Sequence, residues 1–403
     1  MPTHLPDTSG RPIAIRLACI YGAVFFIVGI QTAYLPAWLL TRGVTETGIG
    51  MVLSIPMLVR VFTTPLITLA ADRFRQQRQT LVLLSWGVLA SACALMFASS
   101  FAAILLVMIV YATFWTTVMP MTEALAMRGV QAYDLDYGRM RLWGSLTFIA
   151  ASLAGGWVLG RYGADPIVPM MIAAALALVI AAHVLRATGF PAPMSGGSEK
   201  VIGLTQAIGL LRDNRLLLLF LTSGTAQATH AIYYAFGTIH WQATGLAAVS
   251  IGILWAIGVI AEIGLFMISA RVVARIAPAQ LMLIAAAAGL VRWPLTALDP
   301  PFAALCLIQV LHGLTFGAAH LGAIHLIGRL AGEDLASTAQ GLHATFAMGI
   351  FMAAGMAAAG PLYRAFGGNA YLAMAILAGV AALAALALIA SLRSHPQSAG
   401  SGG

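Results

Sequence analysis

Ile167–Leu185 reads IVPMMIAAALALVIAAHVL, and Thr188–Lys200 just after it reads TGFPAPMSGGSEK. The first stretch holds no Asp, Glu, Lys or Arg over about 20 residues, the length a helix needs to cross a bilayer core. The second is rich in Pro, Gly and Ser, the composition of a water-exposed connection. Working outward from this pair, about twelve apolar runs of similar length appear, six before the connection and six after it. The first is Ile13–Leu40; the seventh is Leu216–Trp241, and the last two are Gly341–Tyr363 and Ala370–Leu392. Hydrocarbon cannot satisfy exposed backbone N–H and C=O groups, so each run must be helical, and no alternating strand pattern competes. The predicted fold is an all-α membrane protein with twelve transmembrane helices in two pseudo-symmetric six-helix halves. Their bounds are 1–187 and 206–393, with an inter-half loop at 188–205 and a disordered polar tail at 394–403.

Composition agrees. Hydrophobic residues make up 61% of the 403 and charged ones only 8%, against about 25% charged in a soluble chain. The net charge of +8 would suit a nucleic-acid binder, but its distribution points elsewhere. One set of loops collects Arg11, Arg16, Arg73, Arg75, Arg78, Arg128, Arg139, Arg186, Lys200, Arg212, Arg215, Arg271, Arg275, Arg329 and Arg393; the other holds Arg42, Arg161 and Arg364. By the positive-inside rule both termini are expected in the cytoplasm. The first run is longer than a signal-peptide core and lacks a cleavage site after it, so it is expected to be retained. Cys19, Cys93 and Cys306 have neither disulfide nor metal spacing and are expected to pack inertly.

Weak internal symmetry accompanies the split. Gly156–Gly163 (GWVLGRYG) ends the fifth run and Gly360–Gly367 (GPLYRAFG) the eleventh, the trace that a duplication leaves. Asp72 and Arg73 follow the second run; Arg271 and Arg275 follow the eighth, where the acid has been lost.

Ionisable residues at bilayer depth are costly and are therefore functional candidates. Residues on consecutive helices that are equidistant from the loop between them share a depth. Glu123 and Arg141 are equidistant from Ala132, Glu262 and Arg292 from Ala277, and Arg292 and His312 from Phe302. A carboxylate, a guanidinium and an imidazole at one level can pass a proton or clamp an anion. Glu123 with Arg141 also fits a static ion pair within a bundle. Arg60 lies near mid-membrane between Pro56 and Pro65, where it could equally bind backbone carbonyls at helix breaks. His320 falls near the face of His312; His325 and His343 read as satisfied interior residues. Tyr34, Tyr233 and Tyr234 are mid-depth aromatics suited to lining an apolar cavity. No nucleophile elbow, phosphate-binding loop or metal motif is present, so neither an enzyme nor a cofactor is expected.

Asp72-Arg73 with Arg78 resembles, in degenerate form, the loop signature of the major facilitator superfamily. Pro120-Met121-Thr122-Glu123-Ala124-Leu125-Ala126 and Leu135-Asp136-Tyr137-Gly138-Arg139-Met140-Arg141-Leu142-Trp143-Gly144-Ser145 are more specific. They resemble the 3-phenylpropionate transporter family, relatives of lactose permease and nucleoside symporters. The similarity runs on through Tyr34, Arg60, Tyr233-Tyr234, Trp255, Glu262, Arg292-Trp293 and His312. It implies secondary active transport by alternating access, a proton gradient as energy source, an aromatic monocarboxylate solute and residence as a monomer in a bacterial inner membrane. It also implies roles. Glu123, Arg141 and Phe148 fall where lactose permease binds its sugar, and Glu262, Arg292 and His312 fall on its coupling triad. Asp72 and Arg73 would act as a conformational gate. Thr315 stands where the permease carries its proton-bearing glutamate, and Leu265 where an asparagine helps bind sugar; both departures weaken a sugar assignment. A sugar or nucleoside carrier is the alternative, followed by a non-transporting sensor.

Overall fold

The computed structural model describes residues 10–74, 76–186 and 209–394. The predicted loop at 188–205, tail residues 395–403, Arg75 and the side chain of Asp72 lie outside the described residues. Every regular element among the described residues is helical. Six spans come first: Gly10–Thr41, Glu46–Arg73, Gln77–Leu95, Phe101–Tyr133, Tyr137–Tyr162 and Ile167–Arg186. Side-chain caps start the fourth and fifth of them. Ser100 accepts from the Ala103 N–H (3.2 Å) and Asp136 from the Arg139 N–H (3.0 Å), satisfying amides that the first helical turn leaves unpaired.

Ten helices among the described residues are long and apolar enough to cross a membrane. The seventh predicted span is not among them because it is broken at Thr229–His230 into Asn214–Ala228 and Ala231–Ala243. At the break the Thr229 hydroxyl donates to the Ala226 carbonyl, and the backbone N–H and ring Nδ1 of His230 both turn to the Gln227 carbonyl. At its start Asp213 caps the helix and grips Arg215 at 2.8 and 3.1 Å, which holds its carboxyl below the usual carboxylate range. The eighth and ninth spans are Ala248–Met267 and Pro278–Ala297, with the short helix Ser269–Arg275 between them. The tenth, Phe302–Gly332, contains a π-helical turn at Gly313–Ala318. The eleventh and twelfth run on as Thr338–Ser394, whose 57 residues would measure about 85 Å if straight, far beyond one crossing. A tight turn at Gly367–Ala370 divides them. The duplicated glycine signal marks real geometry: Gly163 and Gly367 have φ of +73° and +54°, and each returns its N–H to the carbonyl four residues back.

The chain forms two compact units, Met1–Gly197 with Tyr234–Val259, and Ser198–Tyr233 with Ile260–Gly403. In the first, a relay ties the later half of the seventh span to the first span. Trp255 Nε1 donates to Thr238 Oγ1 (3.0 Å), which donates to the Ala33 carbonyl (2.5 Å). The eighth span meets the fifth backbone to backbone through glycines: a Cβ on Gly252 would lie 2.5 Å from the Ser152 carbonyl, and one on Gly156 2.6 Å from that of Ala248. Gly252→Val should therefore lower the thermal midpoint of the purified protein by about 5 °C or more in a detergent melt. An unchanged midpoint would mean that the two helices part at no cost. In the second unit the ninth span packs against the twelfth and against Ala319–His343, and the start of the seventh packs against the twelfth. Cys19 is exposed on the first span, and Cys93 and Cys306 are half-buried.

Candidate functional site

Two charged clusters stand inside the spans, one in each unit. In the first unit Arg141 Nε lies 3.9 Å from Glu123 Oε1, so the predicted pair is brought together, each side chain about one-third exposed at 30% and 31%. Two tyrosines surround the acid. The hydroxyls of Tyr21 and Tyr137 both donate to Glu123 Oε2 at 2.9 Å. The Arg141 guanidinium carbon sits 3.9 Å from the Phe25 ring centroid and 5.9 Å from that of Tyr21, a cation held over aromatic faces. Gly144, one turn on, permits this approach, since a Cβ there would lie 2.7 Å from Phe25 and 3.2 Å from Arg141. Phe148, on the same helix, is buried, with its backbone pressed against Gly29. Arg60 is half-buried on the second span and forms no hydrogen bond or ion pair among the described residues.

The mid-depth tyrosines separate. Tyr34 is fully buried; its hydroxyl donates to the Ser152 carbonyl and its ring covers Gly155, so it is a packing residue rather than a cavity wall. Tyr234 stacks on Trp255 in the first unit, whereas Tyr233 belongs to the cluster in the second.

That second cluster is organised by Arg292, which is fully buried. Its NH1 donates to Thr315 Oγ1 (2.8 Å) and contacts His312 Nδ1 (3.1 Å), and its NH2 donates to Gln309 Oε1 (2.9 Å). The rings of Trp293 and Tyr233 lie 4.5 and 4.9 Å from its guanidinium carbon. A guanidinium only donates, so His312 Nδ1 must accept and the neutral ring carries its proton on Nε2. That nitrogen faces Glu262 Oε2 at 4.0 Å. The predicted triad is thus brought together, with His312 between the guanidinium and the carboxylate. Thr315 is more than a vacancy where a carboxylate was expected: its hydroxyl also lies 3.1 Å from His230 Nε2, while His230 Nδ1 donates to the Gln227 carbonyl (3.1 Å). His320 reaches the cluster through a ring stack, His312 to Phe316 at 5.5 Å and Phe316 to His320 at 6.3 Å, and is itself exposed. His325 bonds the Leu321 carbonyl and His343 bonds Ser223. Among the described residues no His, Cys, Asp and Glu gather as metal ligands do.

The sequence reading did not single out Tyr21, Phe25, Tyr137, Gln309 or His230 as site residues. His230 had a usable signal, being equidistant with Glu262 from Leu246 in the loop that joins their helices. Arg73 is exposed in the last turn of the second span, with the Asp72 side chain outside the described residues.

Residues 14–373 match the sequence profile of the MFS_1 like family. The chain belongs to that family. A probable 3-phenylpropionic acid transporter of Escherichia coli (strain K12) is 30% identical over 90% of this chain and 94% of its own. Maltose permease of Geobacillus stearothermophilus is also 30% identical, over 82% of each chain. Among solved structures, the nucleoside transporter NupG superposes with a TM-score of 0.80 at 17% identity, over 94% of this chain and 99% of that one. This MFS_1 like protein is therefore an all-α, multi-pass secondary transporter of a small solute, and not an enzyme.

Proposed function

We propose that the protein is a proton-coupled symporter of a small aromatic monocarboxylate of the 3-phenylpropionate type, working by alternating access in a bacterial inner membrane with both termini cytoplasmic. The observation that carries this is the contrast between two arginines, the buried Arg292 and the part-exposed Arg141. Arg292 directs both terminal nitrogens at acceptors within the protein. Arg141 sits over the Phe25 ring and 3.9 Å from its acid, beyond hydrogen-bond reach, so its planar fork can meet a carboxylate. Phe25 and Tyr21 offer aromatic surface beside it. The long match to a probable 3-phenylpropionic acid transporter adds support. Glu262 and His312 handle the proton, Asp72 and Arg73 act in the conformational gate, and Arg60 adds positive charge to the first unit.

A neutral sugar or nucleoside is the second assignment, favoured by the similarity to maltose permease and NupG. Charge separates the two. A monoanion moving with one proton is electroneutral and feels only the pH gradient, whereas a neutral solute with one proton gains about 2.3 kcal/mol per 100 mV of membrane potential. Proteoliposomes should take up labelled 3-phenylpropionate when the outside is acid, and give no current on a solid-supported membrane. A substrate-evoked inward current, or uptake of maltose or uridine in its place, would favour the neutral solute.

A further inference from the structure

We propose that Tyr21 and Tyr137 are specificity-determining residues: by occupying Glu123 they keep the Arg141 fork open for an anionic solute. The inference rests on the monocarboxylate assignment above and names the residues that make the site choose it. Both hydroxyls donate to the same oxygen, Oε2, at 2.9 Å, one from the first span and one from the start of the fifth. An ionised carboxylate offers about four acceptor positions. The two tyrosines tether the carboxylate through Oε2, and Arg141 stands 3.9 Å from its other oxygen, Oε1, an attraction without a hydrogen bond. The Phe25 ring centroid lies 3.9 Å from the guanidinium carbon, so the arginine is neither locked onto its acid nor loose.

Removing the hydroxyls would change the partner of the acid. Oε2 would become a poorly satisfied acceptor in a site only about one-third exposed, and Arg141 is the donor in reach. Closing the gap from 3.9 Å to hydrogen-bond distance would spend the fork on Glu123 and leave less of it for a solute carboxylate. The vacated lone pairs would suit a hydroxyl-bearing solute instead. Specificity in this site is thus a difference between two competitions for one guanidinium.

Arginine-directed labelling with phenylglyoxal, quantified at Arg141 by mass spectrometry, tests this without depending on the solute. In the Tyr21→Phe/Tyr137→Phe variant, which keeps both rings, the labelling rate of Arg141 should fall about tenfold. Adding Glu123→Gln to that variant should restore it, because an amide cannot hold the fork as a carboxylate does. The binding arm, by calorimetry, should show 3-phenylpropionate weakened at least about tenfold with maltose unchanged or improved. Equal labelling in wild type and double variant, or failure of Glu123→Gln to restore it, would overturn the role of the tyrosines. If wild type shows the labelling pattern but binds no 3-phenylpropionate, the solute assignment fails and the tyrosine role stands.

Discussion

Arg141→Lys should weaken 3-phenylpropionate binding by about 30- to 100-fold in calorimetry on detergent-purified protein, with the fold intact by gel filtration. Lysine keeps the charge but loses the planar, two-pronged donor set and the guanidinium contact with the Phe25 ring. A hydrogen bond to a charged group is worth about 1.5–3 kcal/mol, which at a two-pronged contact sets the size of the loss. The aromatic contact adds about 0.5–1 kcal/mol, which an ammonium on a flexible stem recovers only in part. Affinity within twofold of wild type would remove Arg141 from the solute site.

Glu262→Gln should abolish uphill accumulation of the solute while leaving exchange across the membrane without a pH gradient. The geometry gives the reason. Arg292 donates into Nδ1 of His312, so a second proton on that ring would point a donor at a donor. His312 therefore presents Nε2–H to Glu262, and the carboxylate, with a side chain 22% exposed, is the proposed carrier of the proton. One proton per solute lets a gradient of one pH unit drive at most about tenfold accumulation. In the glutamine variant the inside-to-outside ratio should fall to about one, as measured by labelled uptake with counterflow as the control. Retained accumulation would move the proton site elsewhere, with the His230–Thr315 pair the next group to test.

Much of the architecture could be read from the sequence, because lipid leaves few alternatives: an apolar run of the right length must be a helix. What could not be read was where helices break. The seventh span looks continuous as an apolar run, and its break at Thr229–His230 is a change of local hydrogen bonding that hydropathy does not register. The same limit applies to the site. Equal spacing from a loop brought Glu123 to Arg141 and Arg292 to His312, because depth is linear in residue number along a helix. Rotation about the helix axis is not fixed by that count. Tyr34 has suitable chemistry and depth, yet it turns into the contact with Ser152, while Tyr21, which spacing did not select, turns toward Glu123. Aromatic residues are common in these spans, and only packing distinguishes a ligand to a carboxylate from filler. Thr315 looked like a loss when compared with a permease, but in place it is an acceptor for Arg292 and a neighbour of His230.

The partners of Arg292 also bear on how the protein is made. Gln309, His312 and Thr315 lie 17, 20 and 23 residues further along the chain. A ribosome adding about 5–20 residues per second delivers them roughly one to five seconds after the arginine. Until then the ninth span would hold a guanidinium at mid-depth, at an insertion cost of about 2.5–3.5 kcal/mol. Its entry into lipid is therefore tied to synthesis of the tenth span, and the two helices leave the translocon most cheaply as a hairpin, already hydrogen-bonded to each other. A pause in translation between Arg292 and Gln309 would hold the nascent chain at its least favourable moment.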